Sequence, residues 1–437
     1  MVDRQTQYNN GAALLADQGI TSHLQHTSDA TTNAVAPVKI GYLVPVFPTQ
    51  THINVWRQIT QLREMGVELV LFSTRRPPPG SCPHEFAARA ESETHYAYPP
   101  PLLICSLTLA ARPFGVLRAL RYLATLHESP IKDRIKRLGL LFCAASMIRH
   151  TRKHGIRHIH AHSAAESAHL VALCRLLGGP TYSLTLHGDL PVYGTDHRSK
   201  MADASFVMTD GPHLKKQVEN KVGVPADRVI SNFLGIDTEK WHDAGLHAHE
   251  PGRLHLVTVA RLNYTKGIQH ALAAVRAALD RGFDVRYSVA GEGPYRPEIE
   301  AEISRLGLSD HVVLLGMLSE SQIISLNQQA DVFMLPSIGL GEAFPSVVIE
   351  AMASGLPVIS SIIGATPEMI THEVEGFLVE PGDEAGLTAA LIRLAEDPDE
   401  RKRMGEAGRQ RAHEAFDRRN SAGRFLQAIA EHTSAGR

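Results

Sequence analysis

Short apolar runs of strand length alternate with stretches of helical spacing twice along this chain, and that double alternation limits its fold more than any other feature. The first series opens at Val38: VKIGYLVPV reads as a buried strand, residues 51–66 as a helix and VELVLFS as the next strand. Within 51–66, Ile53, Trp56, Ile59, Leu62 and Met65 recur at helical spacing, which predicts one buried face. Further strand patterns end at His162, at His187 and at Thr209. The second series starts with LHLVTVARL at Leu254 and closes on three helices after residue 379. Sheets built this way are parallel and covered by helices on both faces. At 437 residues the chain exceeds one ordinary core, so two such sheets are expected. The reading is α/β: two open, doubly wound domains with a cleft between their carboxyl edges. Residues 1–36, polar and aperiodic, are expected as a mobile extension, 37–236 as the first domain and 237–252 as a linker. Residues 253–415 are expected as the second domain and 416–437 as a last helix.

Composition removes several functions. A formal net charge of -2 argues against nucleic acid as the main partner. Cys82, Cys105, Cys143 and Cys174 lack CxxC spacing and suit reduced thiols in a cytoplasmic protein. The pattern predicts neither a membrane-spanning helix nor a secretory signal. Residues 112–153 break the balance, because ten Lys or Arg face only Glu128 and Asp133, with Leu, Ile and Phe interleaved. Two readings stand: peripheral contact with the inner face of the plasma membrane through Arg112 to Lys153, or packed helices with a solvated basic face. His158, His160 and His162 alternate on one strand face, but no carboxylate or thiolate completes a metal site there.

Chemistry concentrates in residues 331–368, DVFMLPSIGLGEAFPSVVIEAMASGLPVISSIIGATPE. The pattern predicts a strand over 331–335, a loop carrying Glu342, and a helix over 346–354 with Ser346 as N-cap and Gly355 as its stop. Glu350 falls in the middle of that apolar helix, where a carboxylate is costly without hydrogen-bond donors. Either a bound sugar nucleotide supplies hydroxyls to Glu342 and Glu350, or Glu350 meets an arginine or an amide and Glu342 is solvated. Neighbouring strand ends add to the set. Arg261 and Lys266 supply two cations beside helix amides, as a diphosphate needs. Gly291 and Gly293 allow close backbone approach, Gly316-Met317-Leu318 offers a rest for a nucleobase, and Pro336-Ser337 closes a fourth strand. Ligands of open parallel sheets sit in the crevice at such edges. In the first half, Thr49, Gln50 and Thr51 occupy a glycine-free turn before a helix, and His187 and Asp189 a loop after a strand.

Arg261…Lys266-Gly267, Gly291-x-Gly293-Pro294, Gly316, Leu335-Pro336-Ser337 and Glu342-x7-Glu350-Ala351-Met352-Ala353-x-Gly355-x-Pro357-Val358 together resemble the retaining glycosyltransferases of family 4. So do Gly364, Pro367-Glu368 and Glu375-Gly376-Phe377-Leu378-Val379. The likeness covers essentially the whole second half. In the first half, FPTQTHI, HIHAHS and TLHGD are similar to members that build colanic acid and other exopolysaccharides. Those members usually read Ser-Glu-Thr-Phe where this chain has Thr49-Gln50-Thr51-His52, and many have Gly at the place of Ala343.

The resemblance implies the GT-B fold of two Rossmann-like domains facing across a cleft, a nucleotide-sugar donor in the second domain, a glycan or lipid-linked acceptor in the first, and a final helix crossing back toward the first. It implies that Arg261 and Lys266 bind the donor diphosphate and Glu350 the ribose hydroxyls. Glu342, with the amides of Ala343 and Phe344, would contact the transferred sugar. Gly291, Gly293, Met317 and Ser337 would complete the donor site. His187 would lie beside the reacting centre, and Thr49, Gln50, Thr51 and Asp189 would meet the acceptor. No cofactor and no essential metal is expected. The rivals are a sugar-nucleotide epimerase, a glycogen-type phosphorylase and a non-catalytic nucleotide-sugar-binding subunit of a polysaccharide assembly complex. A nicotinamide dehydrogenase is disfavoured because no G-x-G-x-x-G follows the first strand.

Overall fold

In the computed structural model, residues 39–241, 251–339 and 344–433 are described. The expected 1–36 extension, most of the 237–252 linker, and Glu342 and Ala343 lie outside the described residues, as does the side chain of Thr51. The described chain forms two compact units, one of residues 39–235 with 418–433 and one of 236–417.

The N-terminal unit begins β1 (Lys39–Val44), α1 (Ile53–Glu64), β2 (Glu68–Arg75), α2 (Ala87–Glu93) and β3 (Thr94–Tyr98). Four helices follow: α3 (Leu102–Ala110), α4 (Pro113–Ala124), α5 (Ile131–Arg137) and α6 (Leu140–Lys153). Then come β4 (His158–Ala161), α7 (Glu166–Leu176), β5 (Thr181–Leu186), α8 (His197–Met201), β6 (Val207–Thr209), α9 (Pro212–Gln217) and β7 (Val229–Ser231). All seven strands are parallel, in the order β3-β2-β1-β4-β5-β6-β7. The strand order reverses direction between β1 and β4, which opens a crevice beyond their carboxyl ends. Strand β4 is buried at every position, as a central parallel strand covered on both faces must be.

The C-terminal unit repeats the plan with β8 (Arg253–Val259), α10 (Ile268–Asp280), β9 (Asp284–Ala290), α11 (Arg296–Arg305), β10 (Val312–Gly316) and α12 (Glu320–Asn327). It continues with β11 (Val332–Leu335), α13 (Ser346–Ala353), β12 (Val358–Ser361), α14 (Thr366–Met369), β13 (Gly376–Val379), α15 (Glu384–Glu396) and α16 (Pro398–Phe416). Its strands are parallel in the order β10-β9-β8-β11-β12-β13, with the reversal between β8 and β11. The last helix, α17 (Arg418–Thr433), belongs to the N-terminal unit and packs on α1, with Phe425 and Ile429 in the core beside Tyr42 and Ile59.

Local corrections have simple causes. Ser346 is the first helical residue of α13 rather than its N-cap, because Pro345 precedes it in extended backbone and takes the cap position. Met65 is solvent-exposed; the helix turns Val55, Gln58, Ile59 and Leu62 inward instead, since Met65 falls on the C-cap, past the last turn that packs. Strand β3 was not expected, because Tyr98 runs into Pro99-Pro100-Pro101, whose breaker signal masks the short edge strand before it. Residues 112–153 form the three helices α4, α5 and α6, interrupted at Pro130 and Gly139.

Candidate functional site

In the C-terminal unit four loops at the carboxyl ends of β8, β9, β10 and β11 are laced together by backbone hydrogen bonds. The Ala260 amide donates to Ala290 O at 3.0 Å and the Leu262 amide to Glu292 O at 3.0 Å. The Gly291 amide donates to Gly316 O at 2.8 Å, and the Ile338 amide to Thr265 O at 2.8 Å. Glycine makes the lacing sterically possible. A Cβ on Gly267 would lie 1.9 Å from Pro336 O, and one on Gly291 would lie 1.9 Å from Ala260 O. Both residues also hold positive φ, +68° and +141°, which L side chains avoid. A Cβ on Gly293 would lie 2.1 Å from Leu262 O, so this backbone too must approach bare.

The lacing brings Arg261, Lys266, Gly291, Gly293, Met317 and Ser337 to one sheet edge. Lys266 ends the short turn Tyr264–Lys266, and Gly267 caps the thirteen-residue α10, whose first amides therefore open beside the lysine. Burial depresses the Lys266 ammonium to about 8. Arg261 is exposed and enters no ion pair among the described residues. Met317 is exposed immediately after Gly316. The Ser337 hydroxyl is fully buried and has no hydrogen-bond partner among the described residues. Glu350, only 6% exposed, sits within α13, and Phe344 stands two residues ahead of that helix with its ring 6.1 Å from Phe416. Taken together, the edge offers two cations, a helix N-terminus and an unsatisfied hydroxyl, and the helix that follows β11 carries a buried carboxylate. Those groups suit an anionic, hydroxyl-rich ligand.

Glu375, part of the same run of motifs, has a different task. Its carboxylate accepts from the Thr371 amide at 2.6 Å and meets Arg411 at 3.4 Å, which pins the turn before β13.

The N-terminal unit holds a second polar centre. His187 follows β5, and its Nδ1 lies 2.7 Å from Asp210 Oδ2 at the end of β6. The carboxylate accepts, so Nδ1 carries a proton, and in the neutral ring Nε2 is the acceptor. That Nε2 is buried and has no partner among the described residues. The His187 amide donates to Tyr193 Oη at 2.7 Å, which fixes the loop. The His162 ring lies tilted against that of His187, 4.1 Å between ring centres, and its Nδ1 lies 2.9 Å from Tyr42 Oη, which in turn bonds Gln58. Gln58, His162, His187 and Asp210 line a tight crevice with Thr185, Asn232 and Ser421. α17 forms one wall, because Ser421 Oγ donates to Phe233 O at 2.7 Å and Asn232 Nδ2 to Ser421 O at 3.1 Å.

Other expected acceptor residues are partly committed. Thr49 forms a capping arrangement with His52, its Oγ1 3.0 Å from Nδ1, and burial together with His187 lowers His52 to about 4. The Gln50 amide donates to Ser81 O at 2.8 Å. Asp189 Oδ1 accepts from Gln217 Nε2 at 2.6 Å. The histidine row is occupied by hydroxyls: His158 meets Thr181 and Ser183, and His160 meets Ser183 and Thr185, at 2.8–2.9 Å. Burial holds these rings neutral, with His158 lowered to about 3. Sequence reasoning missed Asp210, Tyr42 and Gln58. Asp210 carried a usable signal, a carboxylate one residue beyond the end of an apolar strand pattern.

Residues 239–411 match the family model for glycosyl transferases group 1. Over 180 residues the chain is 36% identical to the amylovoran biosynthesis glycosyltransferase AmsK of Erwinia amylovora, covering 40% of this chain and 44% of that protein. Over 202 residues it is 29% identical to the putative colanic acid biosynthesis glycosyltransferase WcaL of Escherichia coli, covering 45% and 50%. The matched stretch thus spans about half the length of these relatives or less. The fold is similar to that of Anabaena Alr3699/HepE, solved in complex with UDP, with a TM-score of 0.68 at 16% identity, covering 90% of this chain and all of that one.

Proposed function

We propose that this chain, which has the GT-B fold and carries a group 1 glycosyl transferase domain over residues 239–411, transfers a sugar from a nucleotide-sugar donor to a hydroxyl acceptor with retention of configuration. The observation that supports the reading is the laced edge of the C-terminal unit, which carries Lys266, Arg261, the N-terminus of α10 and Ser337, with the buried Glu350 in the helix α13 that follows. Lys266 and Arg261 offset the charge that grows on the departing diphosphate as the anomeric carbon takes on oxocarbenium character. Glu350 accepts the ribose hydroxyls, and the Met317 loop carries the base. Glu342 and the amides of Ala343 and Phe344 hold the transferred sugar. The bond from the anomeric carbon to the diphosphate oxygen breaks, the bond to the acceptor oxygen forms on the same face, and the acceptor proton passes to the leaving phosphate. In the N-terminal unit, His187 offers Nε2 to a sugar hydroxyl, held in that tautomer by Asp210.

The names of the relatives support an acceptor that is a glycan or a lipid-linked intermediate of exopolysaccharide assembly. No metal is part of this scheme, so activity persists in excess EDTA. The test is a nucleotide-release screen over UDP-, GDP-, ADP- and dTDP-sugars with lipid-linked acceptors. One donor is consumed only when acceptor is present, and Glu342→Ala abolishes turnover while keeping nucleotide binding. Consumption of donor without acceptor points to an epimerase, and binding without turnover to a non-catalytic subunit; either result overturns the proposal.

A further inference from the structure

Helices α3, α4 and α5 are amphipathic in the wrong sense for a face that meets water. On α4 the buried positions are Gly115, Ala119 and Leu123, while Phe114, Leu117 and Leu120 face outward. The inward packing is so close that a Cβ on Gly115 would lie 3.0 Å from Leu177 Cα. On α3, Cys105 and Thr108 turn inward and Leu103 and Leu107 outward. On α5 a charged side chain turns inward and apolar ones turn outward. Arg137 is buried and bonds Glu166 at 2.6 Å, whereas Ile131 and Ile135 are 71% and 61% exposed. Phe114 and Leu103 are 79% and 77% exposed. Residues 102–138 hold ten of the eighteen large apolar side chains exposed among the described residues, so the patch is a concentration and not scatter.

Charge and length select what covers it. Residues 102–124 contain Arg112, Arg118 and Arg121 and no carboxylate. Across 102–138 seven bases face two acids, and both acids are engaged: Glu128 with the Asp196 amide and Asp133 with Lys136. Arg121 and Lys132 enter no ion pair among the described residues. Flexible aliphatic tips bordered by lysine and arginine match the acyl and headgroup layers of an anionic bilayer. α3 and α4 have 9 and 12 residues and meet at a bend of 102°. At about 1.5 Å per residue neither approaches the ~30 Å of a hydrocarbon core. Such a bent pair lies within one leaflet.

We propose that α3, α4 and α5 form a monotopic membrane-docking surface selective for anionic lipid. The apolar tips enter the leaflet, and Arg121, Lys132 and Lys136 meet lipid phosphates. This surface is independent of the glycosyl-transfer reading, because vesicle binding is measured without turnover.

The experiment is co-sedimentation of the full chain with vesicles of phosphatidylcholine alone or with one-third phosphatidylglycerol. The protein binds the anionic vesicles and is released by high salt. Arg121→Gln, Lys132→Gln and Lys136→Gln together weaken binding on the order of 100-fold, about fivefold for each charge lost. Leu103→Gln, Leu107→Gln and Phe114→Gln together weaken it on the order of 1000-fold, about tenfold for each side chain. Because all six side chains lie outside the core, both variants keep the wild-type melting temperature. Failure of the wild type to bind either vesicle overturns the proposal. So does a wild-type dimer in sedimentation velocity that the apolar variant converts to monomer, which would assign the face to a second copy of this chain.

Discussion

Removing the Lys266 ammonium should stabilise the ligand-free protein and weaken its hold on the donor. Burial lowers this lysine from 10.5 to about 8. At about 1.36 kcal/mol per pH unit, keeping it charged near pH 7 costs the folded state about 3 kcal/mol. Lys266→Met keeps the length of the side chain and removes the charge, so the ligand-free C-terminal unit gains on the order of 2–3 kcal/mol. The sign in the wild type follows from the depressed value. Between about 8 and 10.5 the unfolded chain still binds the proton that the folded chain has lost, so stability rises with pH across that window. The variant loses that rise. Nucleotide binding moves the other way, since a diphosphate favours the charged lysine. Wild-type affinity falls as pH passes above about 8, and the affinity of Lys266→Met is weaker and flat. Urea unfolding at several pH values and calorimetric titration of the nucleoside diphosphate on the full chain read both halves. A variant that binds as tightly as the wild type, or that is less stable near pH 7, refutes the reasoning.

Other perturbations test neighbouring steps. Gly291→Ala places a methyl group 1.9 Å from Ala260 O at a positive φ, so stability drops by about 2–4 kcal/mol and nucleotide affinity falls with it; chemical denaturation and titration measure both. Asp210→Asn leaves the His187 ring in place but frees its tautomer, so turnover falls about 10–100-fold with little change in the KM for donor, as steady-state kinetics will show. His158 is lowered to about 3 from 6.5, so the N-terminal unit loses stability as pH falls from about 6.5 toward 3, where the unfolded chain takes up the proton first. His158→Gln, which can still bond Thr181 or Ser183, flattens that loss in melting curves taken between about pH 7 and 5.

Much of the architecture was legible because parallel sheets covered on both faces leave continuous apolar runs, and VFML at Val332–Leu335 and VISS at Val358–Ser361 are such runs. The loop glycines were legible for a related reason. Gly267 and Gly291 abut carbonyl oxygens, and no other residue fits there. The histidine–carboxylate pair was only half legible. His187 stood out, but Asp210 is 23 residues further on and meets it through the pairing of β5 with β6, which spacing along the chain does not encode. The inverted helices were left between two readings for another reason. Charge counting over 112–153 found the basic bias, but α3 precedes that window, and only tertiary packing reveals that Gly115 and Arg137 point inward while Phe114 and Ile131 point out.

The most direct test of donor use by this chain is the anomeric outcome of a complete turnover. With the donor selected by the nucleotide-release screen, the product is followed by proton NMR while released nucleoside diphosphate is counted. One nucleoside diphosphate should appear for each sugar transferred, with the anomeric configuration of the donor kept. A product of inverted configuration, or a sugar altered while still attached to its nucleotide, would contradict the account.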